Sequence, residues 1–202
     1  MALSPMMVQY TQIKEKYKDC ILFYRLGDFY EMFFDDAITA SRELELTLTG
    51  RDCGLEERAP MCGVPYHACE VYINRLIAKG YKVAICEQTS DPATSKGLVT
   101  RDIVRVITPG TVIEGQFLDE SKNNFIASLY QGDQGAALCF ADISTGQLSL
   151  FEPKEEGNYP LMNELYKYMP SEIISNIKPD LELRHFISDR LHCMISPSDS
   201  KS

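Results

Sequence analysis

The sequence has 202 residues, 45% of them hydrophobic and 24% charged, with a net charge of −9. That is room for one large or two small globular domains, with no apolar run near the ~20 residues a membrane helix needs and no basic-then-apolar opening of a secretory signal. The charge excludes DNA binding by bulk attraction, because neutralising phosphates takes Lys and Arg.

Taken in order, Ser4-Pro5 is a helix start, and a helix is predicted over 5–16. A short apolar, aromatic run over 21–26 predicts a strand, broken at Gly27-Asp28 and followed by an extended piece at 29–31. A helix from 33 or 35 to 44 carries Asp35 and Asp36 in its first turn, where carboxylates suit the helix dipole. Alternation predicts a strand at 45–49, then a charged loop over 51–60 and an extended segment over 61–66. A helix over 68–78, with Val71, Leu76 and Tyr72 inward, ends at Gly80. Strands follow at 82–86 and 103–107, with a loop at 91–97 between them. Pro109-Gly110 fits a type II turn.

The first domain is therefore a small mixed α/β unit, 1–113, and residues 114–123 read as a polar linker. The remainder, 124–202, opens with three strands at 125–130, 136–142 and 147–151, joined by short Gly-bearing turns that predict a meander. A helix over 159–169, with Leu161 and Leu165 on one face, stops at Pro170, and 172–175 predicts the next strand. Three antiparallel strands, a helix and a strand is the order of a ribonuclease-H-like domain. Residues 196–202 read as a polar, frayed end. The fold class is α/β throughout.

Charge is uneven: 13 basic and 16 acidic residues up to Glu114, against 7 and 13 after it. Any nucleic-acid contact thus belongs to a local patch in the first part. The 7 Cys are odd in number, and none is spaced C-x-x-C, which argues against a disulfide framework and for a reducing, cytoplasmic setting. Cys62, His67 and Cys69 match no common zinc spacing and have no evident fourth ligand, so they read as small apolar thiols and a turn histidine, and no metal is expected.

The segment with chemistry is Gly27-Asp28-Phe29-Tyr30-Glu31. In extended backbone, positions two apart share a face, so Phe29 and Glu31 project together with Tyr30 opposite. An aromatic ring wedged between base steps in the minor groove unstacks them, at less cost where the pair is already weak. A carboxylate beside it is repelled by phosphates and gains only where a displaced base offers a hydrogen bond, so it penalises well-paired DNA. On spacing alone, a core aromatic beside a solvated acid is the plainer account.

A resemblance changes that balance. The run Phe23-Tyr24-Arg25-Leu26-Gly27-Asp28-Phe29-Tyr30-Glu31-Met32-Phe33 resembles the mismatch-recognition segment of MutS-type repair proteins. Met61-Cys62-Gly63-Val64-Pro65-Tyr66-His67 is similar to that domain's second motif. Ala84-Ile85-Cys86-Glu87-Gln88, the stretch from Asp91 to Gly97, and Arg105-Val106-Ile107-Thr108-Pro109-Gly110-Thr111 follow in order. Ala141-Asp142-Ile143-Ser144-Thr145-Gly146 is similar to the family's connector domain. The resemblance weakens after about Tyr168. It implies that Phe29 stacks on the mispaired base and Glu31 bonds it.

Arg101, which the resemblance supports best, Lys96, Arg105, Arg51 and Arg58 are candidate DNA-backbone contacts, which would set register without reading sequence. His67 is a further candidate, with a hydrogen bond inside its own turn as the plainer role. The sequence holds no G-x-x-x-x-G-K-[ST] phosphate loop. The resemblance then implies a non-enzymatic fragment, with ATP and Mg held only by an ATPase domain in the rest of a longer polypeptide. Implied partners are mismatched double-stranded DNA and a MutL-type protein at the connector, in a homodimeric, nucleoid-associated parent, the fragment itself being monomeric. Two rivals stand beside this reading. A metal-dependent nuclease would need several of Asp28, Glu31, Asp35, Asp36, Glu87 and Asp142 to converge on metal ions. A protein-interaction module would use the acidic second half without any role in DNA binding.

Overall fold

The computed structural model describes residues 2–90, 98–112 and 123–198. The chain divides into two compact units, Met1–Ile107 and Thr108–Ser202. The expected linker at 114–123 lies, apart from Asn123, outside the described residues.

The first unit is a six-stranded mixed sheet. In chain order its elements are α1 (Pro5–Lys16), β1 (Cys20–Leu26), β2 (Phe29–Phe33), α2 (Phe34–Leu44), β3 (Thr49–Arg51), β4 (Ala59–Pro65), α3 (Cys69–Ala78), β5 (Lys82–Gln88) and β6 (Arg101–Ile107). The strands lie in the order β3-β4-β2-β1-β5-β6, with β1 and β5 parallel and every other pair antiparallel. Strand alternation sorts the core into two layers. On one face Cys20, Leu22, Tyr24, Phe33, Ala84 and Cys86 pack with Met7 and Tyr10 of α1. Tyr10 meets Tyr24 and Phe33 edge-on, with ring centroids 5.4 and 5.1 Å apart. On the other face α2 buries Ala37, Ala40 and Leu44, and α3 buries Ile73, Leu76 and Ile77.

Asp36 ties the layers together. Its carboxylate accepts from the Leu22 N–H at 3.0 Å, the Tyr10 hydroxyl at 3.3 Å and Lys14 Nζ at 2.9 Å. The sequence placed it in the first turn of its helix for the dipole; buried and triply bonded, it is also the link between α1, β1 and α2.

Three local expectations are corrected in this unit. The strand expected at 45–49 forms instead at Thr49–Arg51, because Glu45 takes φ 59° and closes α2 with its N–H on Ser41 O. Arg51 therefore belongs to a strand and not to a loop. Val71, expected inward, is exposed, and Ile73, Leu76 and Ile77 form the buried stripe of α3.

The second unit comprises β7 (Phe125–Gly132), β8 (Gly135–Asp142), β9 (Gln147–Phe151), α4 (Tyr159–Tyr168), β10 (Glu172–Ser175), α5 (Leu181–His185), a π-helical turn over Phe186–Arg190 and β11 (Met194–Pro197). The sheet order is β11-β10-β7-β8-β9, with an antiparallel β7–β8–β9 meander and with β10 and β11 parallel to β7. This is the ribonuclease-H-like arrangement expected from the order of elements. Phe125, Ala127, Leu129, Phe140 and Ile173 pack against Leu161 and Leu165 of α4 and against Leu183 and Ile187.

The frayed end expected from residue 196 is corrected: Ser196 and Pro197 are in β11, and Ser196 is buried with its hydroxyl on Glu172 Oε1 at 3.0 Å. Residues 199–202 of that expectation lie outside the described residues. The type II turn at Pro109-Gly110 is corrected too. Pro109–Thr111 is a 3₁₀ turn closed by reciprocal Thr108 and Thr111 bonds, and Gly110 does not take positive φ. Glycine is required there for space, since a Cβ would stand 2.9 Å from Ile126 Cβ and 3.1 Å from Glu172 Cβ. Neither neighbour is the free end of a flexible chain. Gly110→Ala is expected to cost about 1–3 kcal/mol of the second unit's stability, read as a lower urea midpoint at unchanged slope. An unchanged midpoint would mean that the turn lifts away at no cost.

Candidate nucleic-acid interface

The site begins at the β1–β2 hairpin. Leu26 pairs with Phe29, so Gly27 and Asp28 are the whole turn, and Gly27 takes φ 57° at the first central position, where a II′ hairpin needs glycine. A built Cβ at Gly27 meets nothing within 4 Å, so the requirement is conformational. Asp28 O accepts the Tyr66 N–H at 3.0 Å, which fastens the turn to the end of β4.

Behind the hairpin a second set of contacts stiffens it. Tyr30, on the opposite face from Phe29, is buried with its hydroxyl on Glu87. Burial, and then Glu87, push the Tyr30 phenol well above its ordinary range. The Arg25 guanidinium lies 3.7 Å over the Tyr66 ring and 3.6 Å from Glu87. β2 is thus held from below, and its other face presents Phe29.

Phe29 is 46% exposed, although it is flanked in register by Leu26 and Pro65. Glu31 shares its face, opposite Tyr24 and Gly63. The Glu31 carboxylate is paired with the Arg51 guanidinium of β3. Gly63 leaves the room this needs: a Cβ there would lie 3.3 Å from Tyr30 O and 3.4 Å from Glu31 Cγ. A ring exposed on a rigid strand, with a guanidinium-paired carboxylate beside it, is suited to inserting between bases and testing their edges.

The other predicted contacts fall differently. Arg101 is engaged within the protein, with Nε on Arg25 O at 2.8 Å, Nη1 on Gln9 and Val99 O, and its guanidinium 4.9 Å from the Tyr24 ring. Arg105 is exposed on the edge strand β6, and Arg58 is exposed just before β4. His67 is exposed in a 3₁₀ turn, edge-on to Tyr66 with centroids 5.7 Å apart. Lys96 lies outside the described residues. Sequence reasoning missed Arg51 as the partner of Glu31, the Arg25–Tyr66–Glu87 support and the role of Gly63. Only Gly63 carried a local signal, a glycine inside an extended run.

Three acids of the nuclease reading are engaged with separate partners: Glu31 with Arg51, Asp36 with Lys14, and Glu87 with Tyr30 and Arg25. Asp142 caps the β8–β9 turn through Ser144 and Thr145, and the Ser144 bond above all holds its carboxyl below the usual range. Among the described residues no three His, Cys, Asp or Glu are grouped to hold a metal. Cys62 is buried and donates to Ala37 O at 3.5 Å; burial, then Asp36, push its thiol up to about 11. Cys20, Cys86 and Cys193 are pushed to about 12, in each case chiefly by burial. Since the thiolate is the reactive form, the native chain at pH 8 is expected to label rapidly with a disulfide reagent at no more than Cys69 and Cys139, the two half-exposed thiols. A third rapid thiol would show a core that opens.

Comparison with known proteins decides the family. The model of MutS domain I matches residues 4–116 and that of MutS domain II matches 124–193. The chain belongs to the MutS family. It is 55% identical over 196 residues to the DNA mismatch repair protein MutS of Clostridium tetani (strain Massachusetts / E88), covering 97% of this chain and 22% of that protein. To the protein of the same name from Ruminiclostridium cellulolyticum it is 56% identical, covering 99% of this chain and 23% of that one. Clostridium novyi (strain NT) gives 59% over 174 residues, 86% and 19%. The chain thus spans about a fifth of the length of the MutS relatives it matches. Phe29, Glu31, Arg51 and Gly63 all belong to the stretch matched as domain I, and the ribonuclease-H-like unit carries the match to domain II.

Proposed function

We propose that this chain reads mispaired or unpaired bases in double-stranded DNA, with Phe29 inserted from the minor groove and Glu31 bonding the displaced base. The observation that carries the reading is the exposed Phe29 ring on a strand stiffened from behind, with Glu31 on the same face. Membership of a family whose relatives are named DNA mismatch repair proteins supports it. Unstacking costs a few kcal/mol in paired DNA and less at a mispair, so a rigid wedge converts pairing strength into affinity. Arg51, Arg58, Arg105, Lys96 and His67 supply the sequence-independent contacts; Arg101 acts as a brace for β1 and α1 and not as a direct contact.

Family membership supports a wider assignment. The chain has no catalytic residue of its own, ATP and Mg belong to an ATPase domain elsewhere in the full MutS polypeptide, and the parent works in the cytoplasm on the nucleoid as a homodimer, with the second unit offering the surface for a MutL-type partner. The test is binding of the full polypeptide to a G·T-mismatched duplex and to its paired counterpart, with and without divalent metal, across a salt series. Tighter, metal-independent binding to the mismatch, weakening steeply with salt, is the expected result. Equal binding to both duplexes, or strand cleavage on adding metal, would overturn the reading.

A further inference from the structure

In the second unit, outside the carboxyl ends of the parallel strands β10 and β11, lies a cavity of about 410 Å³. Open α/β sheets bind their ligands at this end of their strands. Two of the residues lining it, Ser175 and Arg184, each carry a buried polar group, the hydroxyl and the Nε–H, without a hydrogen-bond partner. Ser175 is 2% exposed. Native proteins leave few such groups, and each calls for an explanation. Ser175 and Arg184 sit nine residues apart in sequence, on a strand end and on α5, and both line this one cavity.

The charge around this space is unusual for its setting. Lys178 is the second cation in the wall, Ile177, Ile195 and Pro197 give apolar surface, and no acid lines the cavity among the described residues. Yet the chain after Glu114 carries 7 basic and 13 acidic residues. Two acids beside the lining are occupied. Asp180 accepts from Leu183 N–H at 2.9 Å and from Asn158 at 2.7 Å, and Glu172 accepts from Ser196. The Asn158 bond is the main reason the Asp180 carboxyl is held low, and Arg184 adds only the smallest contribution, as a charge at a distance. The Asn176 amide is tied to Gln131 in both directions.

We propose that this cavity is a binding site for a small carboxylate carrying an apolar body. The forked donors of a guanidinium match the two oxygens of a carboxylate, the Ser175 hydroxyl adds a third donor, and the apolar wall accepts the carbon chain. A polyphosphate fits less well, since among the described residues only two cations, Lys178 and Arg184, line the space and no glycine-rich loop does.

The test follows thermal unfolding of the 202-residue chain against 4-methylpentanoate, its neutral amide 4-methylpentanamide, and inorganic phosphate. A ligand that binds the folded state raises Tm saturably. The carboxylate is expected to do so, the amide not at all, and phosphate about tenfold less tightly. Arg184→Met removes an unpaired donor, so without additive its Tm is expected to hold or rise, while the carboxylate effect weakens by about tenfold or more. Ser175→Ala is expected to keep the fold and bind roughly fivefold more weakly. An equal response to the amide or to phosphate, a carboxylate effect that survives in Arg184→Met, or an Arg184→Met chain already unfolded at the outset would each overturn the assignment, the last by showing that the guanidinium serves the fold.

Discussion

Replacing Phe29 by alanine is expected to erase the affinity difference between a G·T-mismatched duplex and its paired counterpart, with binding to paired DNA nearly unchanged. Stacking of an aromatic side chain on a base is worth about 1–3 kcal/mol, so the loss on mismatched DNA is roughly 5- to 150-fold. It falls on the mismatch because only there is the unstacking cost low enough for the ring to enter. The variant keeps its fold, because Phe29 is 46% exposed and its removal opens no internal cavity. Phe33, four residues on, is the control. It is fully buried against Tyr10 and Tyr24, and Phe33→Ala is expected to cost about 3–5 kcal/mol of stability. The measurement is equilibrium binding of the full polypeptide to both duplexes at one fixed salt concentration. A mismatch preference that survives in Phe29→Ala removes the wedge, whatever the family.

The contrast between Phe29 and Phe33 shows what was legible in the sequence. Both lie in one aromatic run, and period alone puts Phe29, Glu31 and Phe33 on one face. Which end of that face α1 covers depends on a helix whose Tyr10 is 23 residues from Phe33, and no local pattern reports it. Elements with their own punctuation were readable. Ser4-Pro5 marked the start of α1, Gly27-Asp28 the hairpin, and Pro170 the end of α4. The misplaced strand at 45–49 failed because alternation is a weak signal beside a helix end: Glu45 still belongs to the cap of α2, and β3 forms where β4 offers a partner, with Thr49 opposite Met61. β11 was unreadable because Ser196 and Pro197 look like a tail until Glu172 accepts the Ser196 hydroxyl. Arg101 shows the limit for site residues. A charge is visible in the sequence, but not the carbonyls and amide it meets, and its partners Arg25 and Gln9 lie 76 and 92 residues away.

The same limit hid the pair that most affects the reading, Glu31 with Arg51, twenty residues apart on two strands that do not neighbour each other. Arg51→Ala is expected to weaken binding to paired and mispaired duplexes alike by about 30-fold, near 2 kcal/mol. One part of that loss is a phosphate contact. The larger part is Glu31 itself, since without the guanidinium a half-buried carboxylate faces the phosphates with its charge uncompensated. Glu31→Gln alone is expected to act in the opposite direction on paired DNA, tightening it several-fold, because the repulsion is gone and Arg51 is released toward the backbone; the mismatch preference shrinks accordingly. In Arg51→Ala the same Glu31→Gln change is expected to recover most of the lost affinity, a coupling of about 1–2 kcal/mol in a double-mutant cycle. The coupling should shrink with added salt, because Arg51 is partly open to solvent. Losses that simply add would leave Arg51 as a backbone contact and nothing more. A positive coupling would mean that the carboxylate penalising paired DNA is tolerable only because β3 carries its counter-charge, so that specificity at Glu31 depends on a strand that makes no base contact of its own.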